Sequence, residues 1–158
     1  MIFLTVGTQF PFDRLVRVVD EWAGRTGRTD VVAQTGPARY TPRHLQHQSF
    51  ITPAEFARYS LEAELIVSHA GMGTILSALS KGKPILVMPR LAAFGEHRND
   101  HQLATAKRFR ELGKIQVALD ETELALQLES VGSLSASDRV GPYASEELLT
   151  RVRQFIEG

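Results

Sequence analysis

Apolar residues in this chain gather in short, nearly continuous runs, separated by stretches of helical periodicity. Residues 2–6, 63–67 and 84–88 are such runs. Each is long enough for one strand, and their two-sided apolarity suits a parallel sheet covered on both faces. After the first run, Leu15, Val16, Val19 and Trp22 recur at three- and four-residue steps, which predicts an amphipathic helix. Weaker signals place short strands at 30–35 and 115–119 and helices at 53–60, 75–80 and about 100–112, with Gly82 positioned to cap the second of these helices. Strands alternating with helices imply right-handed βαβ units. The expected fold is therefore α/β, a single Rossmann-like, doubly wound parallel sheet.

That pattern sets the domain organisation. Residues 1–130 form the expected Rossmann-like domain, and 131–141, poor in large apolar groups and rich in serine and glycine, read as a linker. Within 142–158, Leu148, Leu149, Val152, Phe155 and Ile156 form one apolar stripe, so a C-terminal amphipathic helix is expected to pack on its own domain or on a partner. A length of 158 residues, 43% hydrophobic, suits one core.

Charge narrows the choice of partner. Eighteen basic and eighteen acidic residues cancel, so no nucleic-acid partner is expected. Arg25, Arg28, Arg39, Arg43 and Arg58, with His44 and His47, share a stretch whose acids are Asp30 and Glu55. It reads as a solvated region balanced by acids folded nearby, with anionic lipid as the alternative. Without cysteine there is no disulfide or thiolate chemistry. No apolar stretch approaches the roughly 20 residues of a membrane span, and the first residues lack a charged leader, so neither export by a classical signal nor self-anchoring is expected.

In open α/β sheets ligands bind beyond the carboxyl ends of the strands. Three segments should converge there: Gly7-Thr8-Gln9, Ser68-His69-Ala70-Gly71-Met72-Gly73-Thr74, and residues 89–102. The glycine pair at a strand-to-helix junction can bring backbone N–H groups to a phosphate, or it can simply permit a tight turn. A dinucleotide fingerprint fails because Leu76 stands where a small residue is needed, and a P-loop fails because Gly82-Lys83 is followed by Pro84.

The third segment carries Arg90, Glu96, His97, Arg98, Asn99, Asp100, His101 and Gln102. Its two histidines lie four residues apart, but the H-E-x-x-H order is absent and no metal site is expected. Ser68 and His69 adjoin on a strand, where neighbours point to opposite faces, so they form no nucleophile and base pair. His69 is either packed beneath the loop or a ligand contact. His101 and Gln102 either face solvent in a first helical turn or belong to the site.

Taken together, Val6-Gly7-Thr8, Ser68-His69-Ala70-Gly71-x-Gly73-Thr74, and Pro89 followed by Asp100-His101-Gln102 resemble the Alg13-like glycosyltransferase subunits. These are similar to the C-terminal, donor-binding domain of MurG-like GT-B glycosyltransferases, the family 28 C-terminal domain. Pro89-Arg90 with Gly95-Glu96-His97 looks most like the PssE-like branch of exopolysaccharide synthesis. The resemblance spans roughly residues 1–119 and implies half of a GT-B glycosyltransferase, without cofactor. It would transfer sugar from a UDP-sugar to a polyprenyl-diphosphate-linked acceptor at the cytoplasmic membrane face.

By position, the resemblance implies that Gly7, Thr8 and the turn Gly71, Met72, Gly73, Thr74 cradle the diphosphate, with Gln9 beside them. His101 and Gln102 would face the donor sugar, and His69 would line the same cleft. Many relatives carry a glutamate for the ribose one helical turn after the glycines; here Ser77 stands there, and Glu96 is the candidate substitute. Arg90 is a candidate for a uronic acid carboxylate, or for an ordinary salt bridge. One Rossmann-like domain makes only one wall of a GT-B cleft, so the family implies an Alg14-like (PssD-like) membrane-associated subunit carrying the acceptor site and the base. The competing functions are a non-catalytic partner that stabilises a separate transferase, and a nucleotide-binding regulator without transfer.

Overall fold

The structure, a computed structural model, describes residues 1–113 and 115–131. The expected C-terminal helix at 142–158 and all but the first residue of the expected linker lie outside them.

Six strands form one parallel sheet: β1 (Ile2–Thr5), β2 (Val31–Gln34), β3 (Gln46–Gln48), β4 (Leu65–His69), β5 (Ile85–Met88) and β6 (Gln116–Val117). Their order is β3-β2-β1-β4-β5-β6. Among the described residues four α-helices lie between strands, α1 (Asp13–Thr26), α2 (Pro53–Glu62), α3 (Met72–Ser80) and α4 (His101–Leu112), and α5 (Glu121–Glu129) follows β6. The central strands alternate between two cores. Ile2, Leu4, Val67 and Met88 bury with α1 and α5 on one face, while Phe3, Ile66 and Val87 bury with α2, α3 and α4 on the other. Apolar runs of this kind fill both sides of a three-layer α/β sandwich.

Two elements escape the hydrophobic pattern. β3 reads Gln-His-Gln and is exposed along its length. It is a strand because its backbone pairs with β2, as Val32 with Gln46 and Gln34 with Gln48. α5 starts at Asp120, whose side chain accepts from the Glu123 amide, an N-cap visible in the sequence as Asp-x-x-Glu. The basic stretch is balanced partly from elsewhere in the fold: Arg25 pairs with Glu129 and Arg28 with Glu64, while Asp30 of the stretch itself also pairs with Arg28. Among the described residues no helix is long and apolar enough to cross a membrane.

Strand order reverses between β1 and β4, both paired in register from Ile2–Leu65 to Thr5–Ser68. The chain leaving β1 enters α1 on one face, and the chain leaving β4 enters α3 on the other. A crevice opens at this switch point, beyond the carboxyl ends of the strands.

Candidate functional site

A cleft of about 550 Å³ occupies that crevice, lined from β1 by residues 6–10, from β4 and α3 by His69, Gly71, Gly73 and Thr74, and from the loop after β5 by Arg90, His97 and Gln102. Its size falls within the roughly 300–1,000 Å³ of small-molecule sites.

The α3 wall is built from backbone. Gly71 is the N-cap residue and brings no capping side chain, and the first turn carries no acid. The amides of Met72, Gly73 and Thr74 have no carbonyl one turn earlier to bond, so they and the helix dipole favour an anion. The two glycines do different jobs. A Cβ on Gly71 would lie 2.2 Å from His69 Cε1, whereas a Cβ on Gly73 would meet nothing within 4 Å. Gly71 makes room for protein, and Gly73 leaves space open in the cleft.

The β1 wall is shaped by interior partners. Arg90 is buried and its guanidinium donates to the carbonyls of Val6, Phe10 (2.9 Å), Pro11 (3.1 Å) and Glu96 (3.1 Å). Gln34, also buried, donates to the carbonyls of Gly7 (2.9 Å) and Ser49 (2.8 Å). All peptides here are trans, so a carbonyl held inward turns the N–H of the same peptide the opposite way. The amides of Gly7 and Thr8 therefore point away from Arg90 and Gln34. Gly7 sits at φ +77°, a left-handed conformation that disfavours any side chain. Burial pulls the Arg90 guanidinium down to about 10, Glu96 opposing, and it stays charged at neutral pH.

The candidate residues thus separate. Gly7, Thr8, Gln9, His69, Gly71, Gly73, Thr74, Arg90 and Gln102 come together in the cleft; Met72, Glu96 and His101 do not line it. Met72 packs toward the apolar core beneath α3. The Glu96 carboxylate is engaged inside the protein: both oxygens take Arg14 (3.1 and 3.0 Å), and one also takes the Leu91 amide (3.0 Å). His101 is exposed at the start of α4, its amide bonded to Asn99 (2.8 Å). Among the described residues Arg90 makes no salt bridge to a surface acid; its Nη1 and Nη2 atoms hold main-chain carbonyls at the base of the cleft. Val6, Phe10 and His97 join the lining without having been singled out for it, and the Phe10 and His97 rings pack 5.7 Å apart. Phe10 is found only once Arg90 fixes the carbonyl beside it.

His69 is held from behind. Gln102 Nε2 lies 3.0 Å from His69 Nδ1, and Gln102 Oε1 accepts from the Arg90 amide at 3.2 Å. Burial, with the neighbouring Arg90 charge, pulls the imidazole down to about 3, against the hydrogen bond from Gln102. The ring is therefore neutral at physiological pH.

Comparisons with known proteins identify the fold and the family. The mouse protein described as "UDP-N-acetylglucosamine transferase subunit ALG13" is 33% identical over 123 residues, covering 72% of this chain and 10% of the mouse protein. The chain thus spans about a tenth of that relative's length. The solution structure of ALG13 superposes with a TM-score of 0.58 at 20% identity, covering 84% of this chain and 85% of that one. The crystal structure of Acinetobacter baumannii MurG superposes with a TM-score of 0.59 at 18% identity, covering 90% of this chain and 43% of that one; at such identities the two structures speak for the fold. The sequence profile of the glycosyltransferase family 28 C-terminal domain matches residues 1–141, and the chain belongs to that family.

Proposed function

We propose that this chain is the donor-binding subunit of a two-component glycosyltransferase, which moves a sugar from a UDP-sugar to a lipid-linked acceptor in exopolysaccharide or cell-surface glycan synthesis. The observation that carries the reading is the meeting of two backbone walls at the switch point, the first turn of α3 and the Gly7 loop. A diphosphate placed between them meets donors whose orientation is fixed before it arrives. The charge that develops on the leaving diphosphate as the sugar departs is stabilised by the same groups, at no cost in reorganisation. The ALG13 relatives are named as subunits of a UDP-N-acetylglucosamine transferase, which supports both a UDP-sugar donor and an incomplete enzyme.

Deprotonation of the acceptor hydroxyl needs a base. None of the cleft-lining residues is a carboxylate, and His69 is engaged at Nδ1. The base and the acceptor site are assigned to an Alg14-like (PssD-like) membrane-associated subunit, which also brings the chain to the cytoplasmic face of the membrane. The same lack of a carboxylate favours a second reading, a non-catalytic partner that stabilises a separate transferase.

Reconstitution with the partner subunit separates them. The pair should transfer sugar from one of UDP-glucose, UDP-galactose, UDP-N-acetylglucosamine or UDP-glucuronic acid, and Gly73→Leu in this chain should abolish transfer while the complex still forms. Undiminished transfer by that variant would favour the non-catalytic reading.

A further inference from the structure

We propose that Gln102 is a positioning residue that locks His69 in the neutral Nε2–H tautomer, so that the ring presents a hydrogen-bond donor, and not a base, to the anion in the cleft. The last step, from ring to anion, rests on the nucleotide-sugar reading above; the tautomer does not.

The assignment follows from what each atom can do. The Arg90 main-chain nitrogen can only donate, so the Gln102 atom 3.2 Å from it is the amide oxygen. The other end of that amide is then NH2, also a donor, and it lies 3.0 Å from His69 Nδ1. Nδ1 must accept, which leaves the ring proton on Nε2. A peptide N–H of the loop after β5 thereby sets the tautomer of a ring at the end of β4, through one buried side chain.

The opposite edge of the ring meets two glycines. A Cβ on Gly7 would lie 3.2 Å from Nε2, and one on Gly71 would overlap Cε1. Nε2 has no protein hydrogen-bond partner among the described residues, and the ring lines the cleft. The charged and titratable groups acting on it are Arg90 and His97, both from the loop after β5 and both opposing its protonation. Glu96, the nearest carboxylate in that loop by sequence, is turned onto Arg14. With the α3 amides and those of Gly7 and Thr8, Nε2–H completes a floor made of donors. The family resemblance assigns Gln102 to the donor sugar, but here its oxygen and an N–H are spent inside the protein.

Long-range proton–nitrogen NMR of the histidine side chains in the full chain reads the tautomer directly. His69 should show the neutral Nε2–H pattern throughout pH 5–8, a range in which an unperturbed imidazole would titrate. An Nδ1–H pattern, or an imidazolium at pH 6, overturns the proposal. In Gln102→Glu the carboxylate accepts from both the Arg90 amide and Nδ1–H. That change moves the ring proton to Nδ1 and leaves Nε2 a bare acceptor until the ring protonates. With UDP as probe, the ratio of wild-type to variant affinity should be about tenfold at pH 8, the order of one lost hydrogen bond to a charged group. It should shrink as pH falls through the variant's imidazole titration. A ratio that does not change with pH overturns the donor role of Nε2–H toward the anion. If the variant does not fold, the wild-type spectrum still decides. A wild type that shows the Nε2–H pattern but binds no UDP would sink the proposed function and leave the lock standing.

Discussion

The turn between β4 and α3 and the loop between β5 and α4 lie on the same edge of the sheet, and they work in opposite ways. The first is poor in side chains and offers the cleft its backbone: Gly71 admits the His69 ring, Gly73 is open, and the first-turn amides have no intrahelical partner. The second is dense with polar side chains, of which Arg90, Glu96 and Gln102 are buried. Arg90 gathers four carbonyls, Glu96 clamps Arg14, and Asp100 takes the Ala92 amide at 2.9 Å. The contrast teaches that polar density along a sequence does not locate ligand contacts. Here Arg90, Glu96 and Asp100 hold the scaffold, and the segment with little chemistry of its own offers its backbone to the cleft.

The severest way to break this contrast is Arg90→Met. It removes a buried charge and leaves several carbonyls without their donor, at a cost of about 3 kcal/mol or more. Chemical denaturation should show that loss together with loss of UDP binding, because the Gly7 loop is no longer held. A stable variant with normal binding would make Arg90 dispensable to the loop. Gly73→Leu should act on the ligand alone. UDP affinity should fall by at least about tenfold by calorimetry while stability changes by no more than about 1 kcal/mol, near the helix-propensity gain of replacing glycine; comparable affinity would mean the diphosphate does not sit over α3.

Glu96→Gln sharpens the other side of the contrast. Weakening the clamp on Arg14 should cost about 1–2 kcal/mol in urea melts, with UDP affinity altered less than about threefold; a much larger loss would return Glu96 to the ribose.

A graded effect is in pH. The His69 imidazole is held at about 3 in the folded protein, against 6.5 for the ordinary side chain. Between those values the unfolded chain binds a proton that the folded chain does not, so stability falls as pH drops from about 6.5, by at most about 1.4 kcal/mol per unit. His69→Gln should flatten urea-derived stability between pH 4.5 and 6.5; an identical slope would contradict the buried neutral ring.

The strands of the sheet's centre were legible because burial on two faces leaves nearly continuous apolar runs, as at residues 2–6 and 84–88. β3 was not, since an exposed edge strand is set by its partner's backbone and its Gln-His-Gln sequence has no apolar period. Most of the cleft was legible from strand-end position and glycine spacing. The roles of Arg90, Glu96 and Gln102 were not, because whether a polar side chain turns toward ligand or protein depends on carbonyls and charges distant in the chain. Arg14, the partner that removes Glu96 from the cleft, is 82 residues away from it.

The central claim is that main-chain amides of two loops receive a nucleoside diphosphate. A proton–nitrogen correlation titration of the chain with UDP, in EDTA to exclude metal, tests it most directly. The amides of Gly7, Thr8, Gly73 and Thr74 should shift the most and saturate together. No shift at millimolar UDP, or shifts centred on residues 96–101, would contradict it.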